Sequence, residues 1–299
     1  MIEKQIELLV GDNPFQGISH LSQQRARERS IKYNPSNVDY ATKLVKLSLQ
    51  NGANGFMFSV SNTTLSILKA LDHDKKPDLY AIVPYAYEYV RLATKLGGIS
   101  GLAKQVSRQI MFSRNIFTVA PNLIGLIRGD PSAFLKTYLI YEISRIKSAA
   151  GKDVNLKSVL LHEVITDMAL ALDLGWFFKS YVKFFSKSKI RAGFETRNFP
   201  HLVQKLNECQ IDLNKITIAT SFNKIGFQMN PSRTECEKAL ANVPEPNTIA
   251  MSILAAGYLK PPEAINYIES LPNLVGVVVG VSKERHACET FKLLKENLV

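Results

Sequence analysis

The stretch Val275-Gly276-Val277-Val278-Val279 decides the fold, because it is an almost uninterrupted run of β-branched residues. Strands that are apolar at consecutive positions are buried on both faces, as in parallel sheets covered by helices. Seven earlier apolar runs resemble it, and a segment of helical period follows each run. The eight predicted strands are residues 7–10, 55–60, 79–83, 158–161, 190–194, 216–220, 248–253 and 275–279. This alternation predicts an α/β fold with a parallel sheet.

Eight β/α units in 299 residues fit a closed (β/α)8 TIM barrel better than an open doubly wound sheet. Neither a G-x-G-x-x-G motif after the first strand nor a G-x-x-x-x-G-K-[ST] motif is present, so the Rossmann and P-loop folds lose their main signature. Capping residues and prolines before residues 38–50, 233–241 and 264–270 mark helix starts. We therefore predict a single barrel domain over residues 1–299.

The gap between the third and fourth predicted strands is too long for one βα connection. We predict a helical insertion over residues 84–155, after the third strand. In a barrel such an insertion leaves from the catalytic end, so it could cover an anionic ligand or form a contact in a homo-oligomer.

The formal net charge of +11 is concentrated in two segments that contain no acidic residue. Together these segments contain eleven basic residues, as many as the excess of basic over acidic residues in the chain. They are Arg91, Lys95, Lys104, Arg108, Arg114, Arg128, Lys179, Lys183, Lys187, Lys189 and Arg191. Either these residues are solvated helix faces, or they meet an anionic partner. The second possibility gives an alternative function, a barrel-based binding protein that contacts nucleic acid or an acidic surface.

The basic segment near residue 180 is also rich in aromatic residues. Phe177, Tyr181, Phe184 and Phe185 recur at helical spacing. The lysines of this segment occupy another face, so we predict a barrel helix whose aromatic side packs on the sheet. Contact with a membrane surface or with nucleic acid is the alternative.

The sequence shows no targeting signal and no cysteine motif that would indicate a function. No run of 18 uncharged apolar residues occurs, and the first residues lack the basic-then-apolar order of a signal peptide. We expect a cytoplasmic protein without a transmembrane segment. Cys209, Cys236 and Cys288 are odd in number and widely spaced, so they form neither a disulfide framework nor a cysteine-rich metal site.

Residues that follow barrel strands line the active site, so the chemistry is expected there. After the first strand, Asp12, Asn13 and His20 are candidate substrate contacts, although the same glycine- and proline-containing loop also fits a plain turn. After the fourth and fifth strands, His162 and Glu195 are the candidate catalytic residues, forming an acid/base pair.

Further polar residues at the mouth could hold a substrate or a metal. Arg197, Asn223 and Lys224 are candidate substrate-binding residues, and a cation or metal is expected beside Glu195 because a buried carboxylate needs a partner. Alternatively, Asp12, His20, His162 and Glu195 could bind a divalent metal in a hydrolase or lyase site.

The second half of the chain resembles the aldo-keto reductases. The resemblance rests on Ser158-Val159-Leu160-Leu161-His162, Ile190-Arg191-Ala192-Gly193-Phe194 and Phe222-Asn223, and most specifically on residues 248–257 and 277–282. It implies a barrel oxidoreductase that uses NADPH and an Asp, Tyr, Lys and His tetrad, with His162 at the family's His position. The second strand and its end, residues 55–62, contain neither the Asp nor the Tyr, and Pro84-Tyr85 stands where the Lys is expected.

The resemblance also implies a phosphate-binding site, here called the phosphate grip, after the eighth strand. Gly280, Ser282, Lys283 and Arg285 could supply backbone N–H groups, a helix N-terminus and cations to a phosphate. Thr290 replaces the Asn that usually follows Glu289 in the family's cofactor segment. The sequence thus predicts an aldo-keto-reductase-like enzyme for a small anionic or phosphorylated substrate, with NADP or a divalent metal as the possible cofactor.

Overall fold

Eight parallel strands close into a barrel in chain order in the computed structural model, which describes residues 6–16, 38–71, 76–85, 131–151 and 153–299. The strands are β1 (Glu7–Gly11), β2 (Gly55–Ser59), β3 (Asp78–Val83), β4 (Leu156–Leu161), β5 (Arg191–Thr196), β6 (Ile216–Ser221), β7 (Thr248–Met251) and β8 (Leu274–Gly280). The predicted (β/α)8 barrel is confirmed, and each predicted strand ends within two residues of the observed one.

Helices flank the strands on the outside. In the described part of the chain they are α1 (Val38–Gln50), α2 (Asn62–Ala70), α3 (Pro131–Ala150), α4 (Glu163–Ala171), α5 (Gly175–Phe185), α6 (Phe199–Glu208), α7 (Arg233–Ala241), α8 (Pro261–Glu269) and α9 (Glu284–Leu298). None of these described helices has the length and apolar composition needed to span a membrane.

Strand β1 closes the barrel, because it pairs with β2 on one side and with β8 on the other. Leu9 lies opposite Gly55 in one pairing and opposite Val278 in the other. Closure leaves no unpaired strand edge, and it brings the carboxyl ends of all eight strands to one end of the barrel.

Side chains alternate between the barrel interior and the surrounding helices. Leu9, Met57, Tyr80 and Leu160 belong to a fully internal apolar cluster, whereas their neighbours along the strands pack outward in the larger core. The strands are therefore apolar at consecutive positions, as the sequence indicates. Gly193 makes room inside, since a Cβ atom there would lie 2.6 Å from Leu160 Cγ.

Helix α5 confirms the interpretation of the aromatic, lysine-rich segment as a barrel helix. Phe178, Tyr181 and Phe185 are buried, and the first two contact Phe194 of β5 with ring centroids 5.6 and 5.3 Å apart. The Tyr181 hydroxyl donates a hydrogen bond to the Val159 carbonyl oxygen at 2.6 Å. The aromatic side of the helix is thus fixed on β4 and β5.

The predicted insertion is described only in part. Helix α3 lies between β3 and β4 in the chain and packs against α2 and α5. Within it, the buried carboxylate of Glu142 pairs with Arg145 at 2.9 Å. The first basic segment, between residues 88 and 130, lies outside the described residues.

Candidate active site

Asp12, His162 and Glu195 follow or end three strands at the carboxyl end of the barrel. Leu161 of β4 pairs with Phe194 of β5, so His162 and Glu195 occupy the next positions of this register. Because Leu160 points into the barrel, alternation directs His162 to the same side. The structure thus brings the two predicted catalytic residues to neighbouring positions.

His162 is held by the start of helix α4. Its Nδ1 atom accepts a hydrogen bond from the Val164 N–H at 3.2 Å and caps the helix, while its own backbone N–H donates to the Val83 carbonyl at 2.8 Å. Burial lowers the pKa of the ring, with the charge of Glu163 opposing this effect and that of Arg197 adding to it. The imidazole is therefore neutral at pH 7, and its proton lies on Nε2 because Nδ1 is an acceptor.

Glu195 is a carboxyl group with an elevated proton affinity. One of its oxygens, Oε2, accepts the backbone N–H of Glu163 at 3.3 Å. Burial raises the pKa of Glu195 to about 8, and the nearby negative charge of Glu163 adds to the increase, whereas the hydrogen bond and Arg197 oppose it. Glu195 is therefore mostly protonated at neutral pH.

The cations expected beside Glu195 are paired with other carboxylates. Arg197 Nε donates to Glu163 Oε2 at 2.6 Å, and Lys224 Nζ pairs with Glu263 at 2.8 Å on the surface. Arg197 lies near enough to lower the pKa of Glu195, but its direct partner is Glu163. This distribution explains why the proton affinity of Glu195 stays high.

Asp12 is buried at the end of β1, with 3% of its surface exposed. Its Oδ2 atom accepts the Ser59 N–H at 2.9 Å and the Gln16 side-chain amide at 3.3 Å. Burial outweighs these hydrogen bonds and raises the pKa of Asp12 to about 7. The charge of Asp12 in turn contributes to the raised pKa of Glu195. The carboxyl group that follows β1 and the one on β5 thus interact electrostatically.

The first loop is both a turn and part of the site. Residues Asn13–Gln16 form a 3-10 turn in which the Phe15 N–H donates to the Asp12 carbonyl at 2.8 Å. Gln16 also donates to Ser61 Oγ at 2.7 Å, and Ser61 caps helix α2. Asn13 lies in this turn, whereas His20 lies outside the described residues.

Asn223, a candidate substrate-binding residue, is fully buried in the loop after β6. Its side-chain amide donates to the Phe227 carbonyl at 2.8 Å and accepts the Phe227 N–H at 2.7 Å. Both ends of the amide are therefore used to fix the loop, and its role as a substrate contact stays a prediction.

The proposed phosphate grip lies at the end of β8 and the start of α9. Gly280 is exposed, but the ring of Pro14 lies close to it, since a Cβ atom at Gly280 would lie 2.9 Å from two ring carbons. Ser282 follows, and Lys283 is the exposed N-cap residue of α9, whose own side chain makes no capping hydrogen bond. Arg285 instead pairs with Glu289 at 2.8 Å along the same helix.

A metal site is not formed by the described side chains alone. In residues 6–16, 38–71, 76–85, 131–151 and 153–299, no three His, Cys, Asp or Glu side chains are grouped closely enough to hold a metal ion. Asp12, His162 and Glu195 therefore do not make such a site by themselves. With His20 outside these ranges, the four-donor site stays a prediction.

Two carboxylates of helix α4 were not among the predicted site residues. Glu163 pairs with Arg197, and Asp167 accepts hydrogen bonds from the Thr196 hydroxyl and the Arg197 backbone N–H. Burial raises the pKa of Asp167. The signal in the sequence is the i, i+4 spacing of the two acids at the start of a helix, which places both on one face.

The fold and site define a (β/α)8 barrel with proton-holding carboxyl groups at its mouth. No protein-family model matches the sequence, and no curated protein is significantly similar to it. Two solved structures of a Pseudomonas aeruginosa protein, named as a candidate aldo-keto reductase, are similar to this chain with a TM-score of 0.57 and 11% identity. The match covers 99% of this chain and 92% or 91% of the other.

The chain thus resembles the aldo-keto reductases at a distance, and at 11% identity the likeness is one of fold. The catalytic end differs from the family's pattern at β2. There Ser59 and Ser61 bond to the first loop through Asp12 and Gln16, where the family carries its Asp.

Proposed function

We propose that this protein is an aldo-keto-reductase-like barrel enzyme that transfers a proton to a small anionic or phosphorylated substrate at the barrel mouth. One observation carries the proposal: Glu195 lies near the carboxyl end of β5 in a desolvated position that raises its pKa, while the Arg197 guanidinium pairs with Glu163. A carboxyl group in this setting keeps its proton at neutral pH.

Glu195 acts as the general acid. Its pKa of about 8 lies near the expected operating pH, the condition under which an acid donates effectively and is still regenerated. This role replaces that of the tyrosine of the aldo-keto reductases, which has no counterpart in residues 55–62. The proton moves from the Glu195 carboxyl to a developing oxyanion of the substrate.

His162 polarises the same substrate oxygen. The ring is neutral, and its Nδ1 atom is occupied by the Val164 N–H, so Nε2–H is left as a hydrogen-bond donor toward the mouth. A fixed neutral donor stabilises developing negative charge without any proton loss of its own. Asp12 supports the site by raising the proton affinity of Glu195, and Asn13 and His20 complete the first-loop contacts.

The anionic part of the ligand binds at the start of α9. Lys283 is the exposed N-cap residue there, and its own side chain makes no capping hydrogen bond, so the lysine and the first N–H groups of α9 fit a phosphate. Gly280 and Ser282 lie beside them, and Arg285 contributes less because it pairs with Glu289. NADPH held by this phosphate site would supply a hydride to the substrate carbonyl carbon and become NADP⁺, while Glu195 supplies the proton to the oxygen.

The test is in two stages. A native mass spectrum of the purified protein shows whether it retains NADP or a divalent metal, and we expect NADP. Oxidation of NADPH is then followed with small phosphorylated and carboxylated aldehydes and ketones, comparing the wild type with Glu195→Gln. Glu296→Gln, which removes an exposed carboxylate 4.0 Å from Lys292 on α9, is the matched control. Unchanged turnover in Glu195→Gln would falsify the assignment.

A further inference from the structure

Helix α4 exposes an apolar face on the outside of the barrel. Val164, Met168 and Leu172 are 52%, 51% and 62% exposed, and Trp176, at the start of α5, is 47% exposed. We call these four residues the apolar stripe. The first three are spaced by four residues, so they lie on one face of α4.

The polar residues of α4 do not share this face. Glu163 and Asp167 turn toward β5, where they meet Arg197 and Thr196, and Thr166 is buried. The solvent-exposed side of the helix is therefore apolar, which inverts the usual pattern of a barrel helix. Contiguous exposed apolar surface of this kind marks an interaction site.

The apolar stripe continues into a row of lysines on α5. Lys179 and Lys183 follow Trp176 at spacings of three and four residues, so they share its face of α5. Lys187 lies two residues past the end of the helix, and all three lysines are exposed. No acidic residue lies between positions 173 and 195. Asp173, which separates the two helices, is paired with Lys205 at 2.6 Å.

Both helices pack on the same wall of the barrel. Asp167 of α4 bonds to Thr196 at the end of β5, and Phe178 and Tyr181 of α5 contact Phe194 of the same strand. The outward sides of both helices therefore face away from this wall. Leu172, at the end of α4, and Trp176, at the start of α5, are only four residues apart, so we treat the apolar stripe and the lysines as one surface.

We propose that this surface binds an anionic lipid bilayer. The apolar stripe enters the boundary between headgroups and acyl chains, with Trp176 at the depth that tryptophan prefers, and the lysines contact acidic headgroups. Nucleic acid would account for the lysines but would leave the stripe in water. A second copy of the chain in a two-fold contact could bury the stripe, but the same segment of the copy offers the lysines no acidic residue between positions 173 and 195. Of these three partners, only the bilayer offers apolar contacts to the stripe and negative charge to the lysines.

The test is cosedimentation of the protein with vesicles of neutral phosphatidylcholine, with and without added phosphatidylserine. We expect binding to the anionic vesicles, weakened by salt, and little binding to neutral ones. Trp176 is the single tryptophan of the chain, so its fluorescence should shift to shorter wavelength on binding. Absence of this shift, or equal binding to neutral vesicles, would overturn the proposal.

Two variants separate the halves of the surface. Lys179→Glu/Lys183→Glu should decrease partitioning by about thirtyfold or more, because each lysine near an acidic surface contributes roughly fivefold. Met168→Glu/Leu172→Glu should abolish the fluorescence shift while circular dichroism shows an intact fold. Lys238→Glu/Lys292→Glu, on α7 and α9, makes the same charge change elsewhere and should bind normally.

The competing partners give different outcomes. Suppose that the protein binds duplex DNA, and that this binding is lost in Lys179→Glu/Lys183→Glu but retained in Met168→Glu/Leu172→Glu. The partner would then be nucleic acid and not a bilayer. The wild type could instead form a dimer in analytical ultracentrifugation and fail to bind vesicles. If that dimer dissociates in Met168→Glu/Leu172→Glu, the partner is a second copy of the chain.

Discussion

Glu163 holds Glu195 by its backbone and opposes its ionisation by its side chain. The Glu163 N–H donates to Glu195 Oε2 at 3.3 Å, while the Glu163 carboxylate forms an ion pair with the Arg197 guanidinium at 2.6 Å. The cation nearest to Glu195 in the chain is therefore used elsewhere, and a second negative charge is placed beside it. Burial is the main cause of the raised pKa of Glu195, and the charge of Glu163 adds to it.

The stability of the folded chain should depend on pH through Glu195. Its pKa is about 8 in the folded chain and 4.5 when exposed, so the unfolded chain ionises first as the pH rises. Below pH 4.5 this group does not change the free energy of unfolding. Between pH 4.5 and about pH 8 the free energy of unfolding falls by up to about 1.4 kcal/mol per pH unit, and above pH 8 the group has no further effect. Glu195→Gln cannot ionise, so it should lose less stability in urea denaturation between about pH 5 and pH 8. Equal pH slopes for this variant, the wild type and Glu296→Gln would contradict the assignment.

Two substitutions should move the pKa of Glu195 in opposite directions. Asp12→Asn removes a negative charge that raises this pKa, and Arg197→Met removes a positive charge that lowers it. We expect a decrease and an increase of about one unit or less, read from the carbon-13 shift of the Glu195 carboxyl. The asparagine still accepts the Ser59 N–H, so the loop is retained. Lys224→Met, which breaks a surface ion pair, is the control and should leave the titration unchanged.

Substitutions of His162 should separate its structural and chemical roles. His162→Ala loses the cap of helix α4 and should destabilise the protein by about 1 kcal/mol. His162→Asn restores a capping acceptor, so its stability should remain close to that of the wild type. Both variants lack the Nε2–H donor and should lose about 100-fold or more in turnover. Full activity in His162→Asn would show that the residue serves only as a cap.

The start of α9 should bind inorganic phosphate. Lys283→Ala should weaken the binding by about tenfold in isothermal titration calorimetry, because a charged hydrogen-bond donor is removed. Arg285→Ala should have a smaller effect, since Arg285 pairs with Glu289. Lys292→Ala, two turns further along the same helix, is the control. Equal phosphate affinity in Lys283→Ala and Lys292→Ala would exclude the site.

The hydroxyl of Tyr181 should stabilise the contact between α5 and the barrel. This side chain is fully buried and donates to the Val159 carbonyl at 2.6 Å. Tyr181→Phe leaves that carbonyl without its side-chain partner, so we expect a loss of about 1–3 kcal/mol in the free energy of unfolding. Tyr258→Phe, at a position 74% exposed, should change it by less than about 0.5 kcal/mol. Similar effects in the two variants would contradict this reasoning.

Local pattern was enough to predict the barrel and most of its boundaries. The strand around Val277 is apolar at consecutive positions because both of its faces are buried, a property that can be read without neighbours. The aromatic side of α5 was predicted from helical spacing, but the choice among its aromatic residues was less accurate. Phe178, which the spacing argument left out, is fully buried, whereas Phe177 and Phe184 are only partly buried.

The chain order alone determined that eight parallel strands would close and that Asp12, His162 and Glu195 would lie at the same end of the barrel. Only the tertiary structure decided their protonation and partners. Arg197 is two residues from Glu195 in sequence, yet it pairs with Glu163 across the start of α4. Asp12 is buried against the backbone of Ser59, 47 residues away. Electrostatic energies depend on distance and burial in the folded barrel, and these quantities are set by packing between elements that no single stretch of sequence contains.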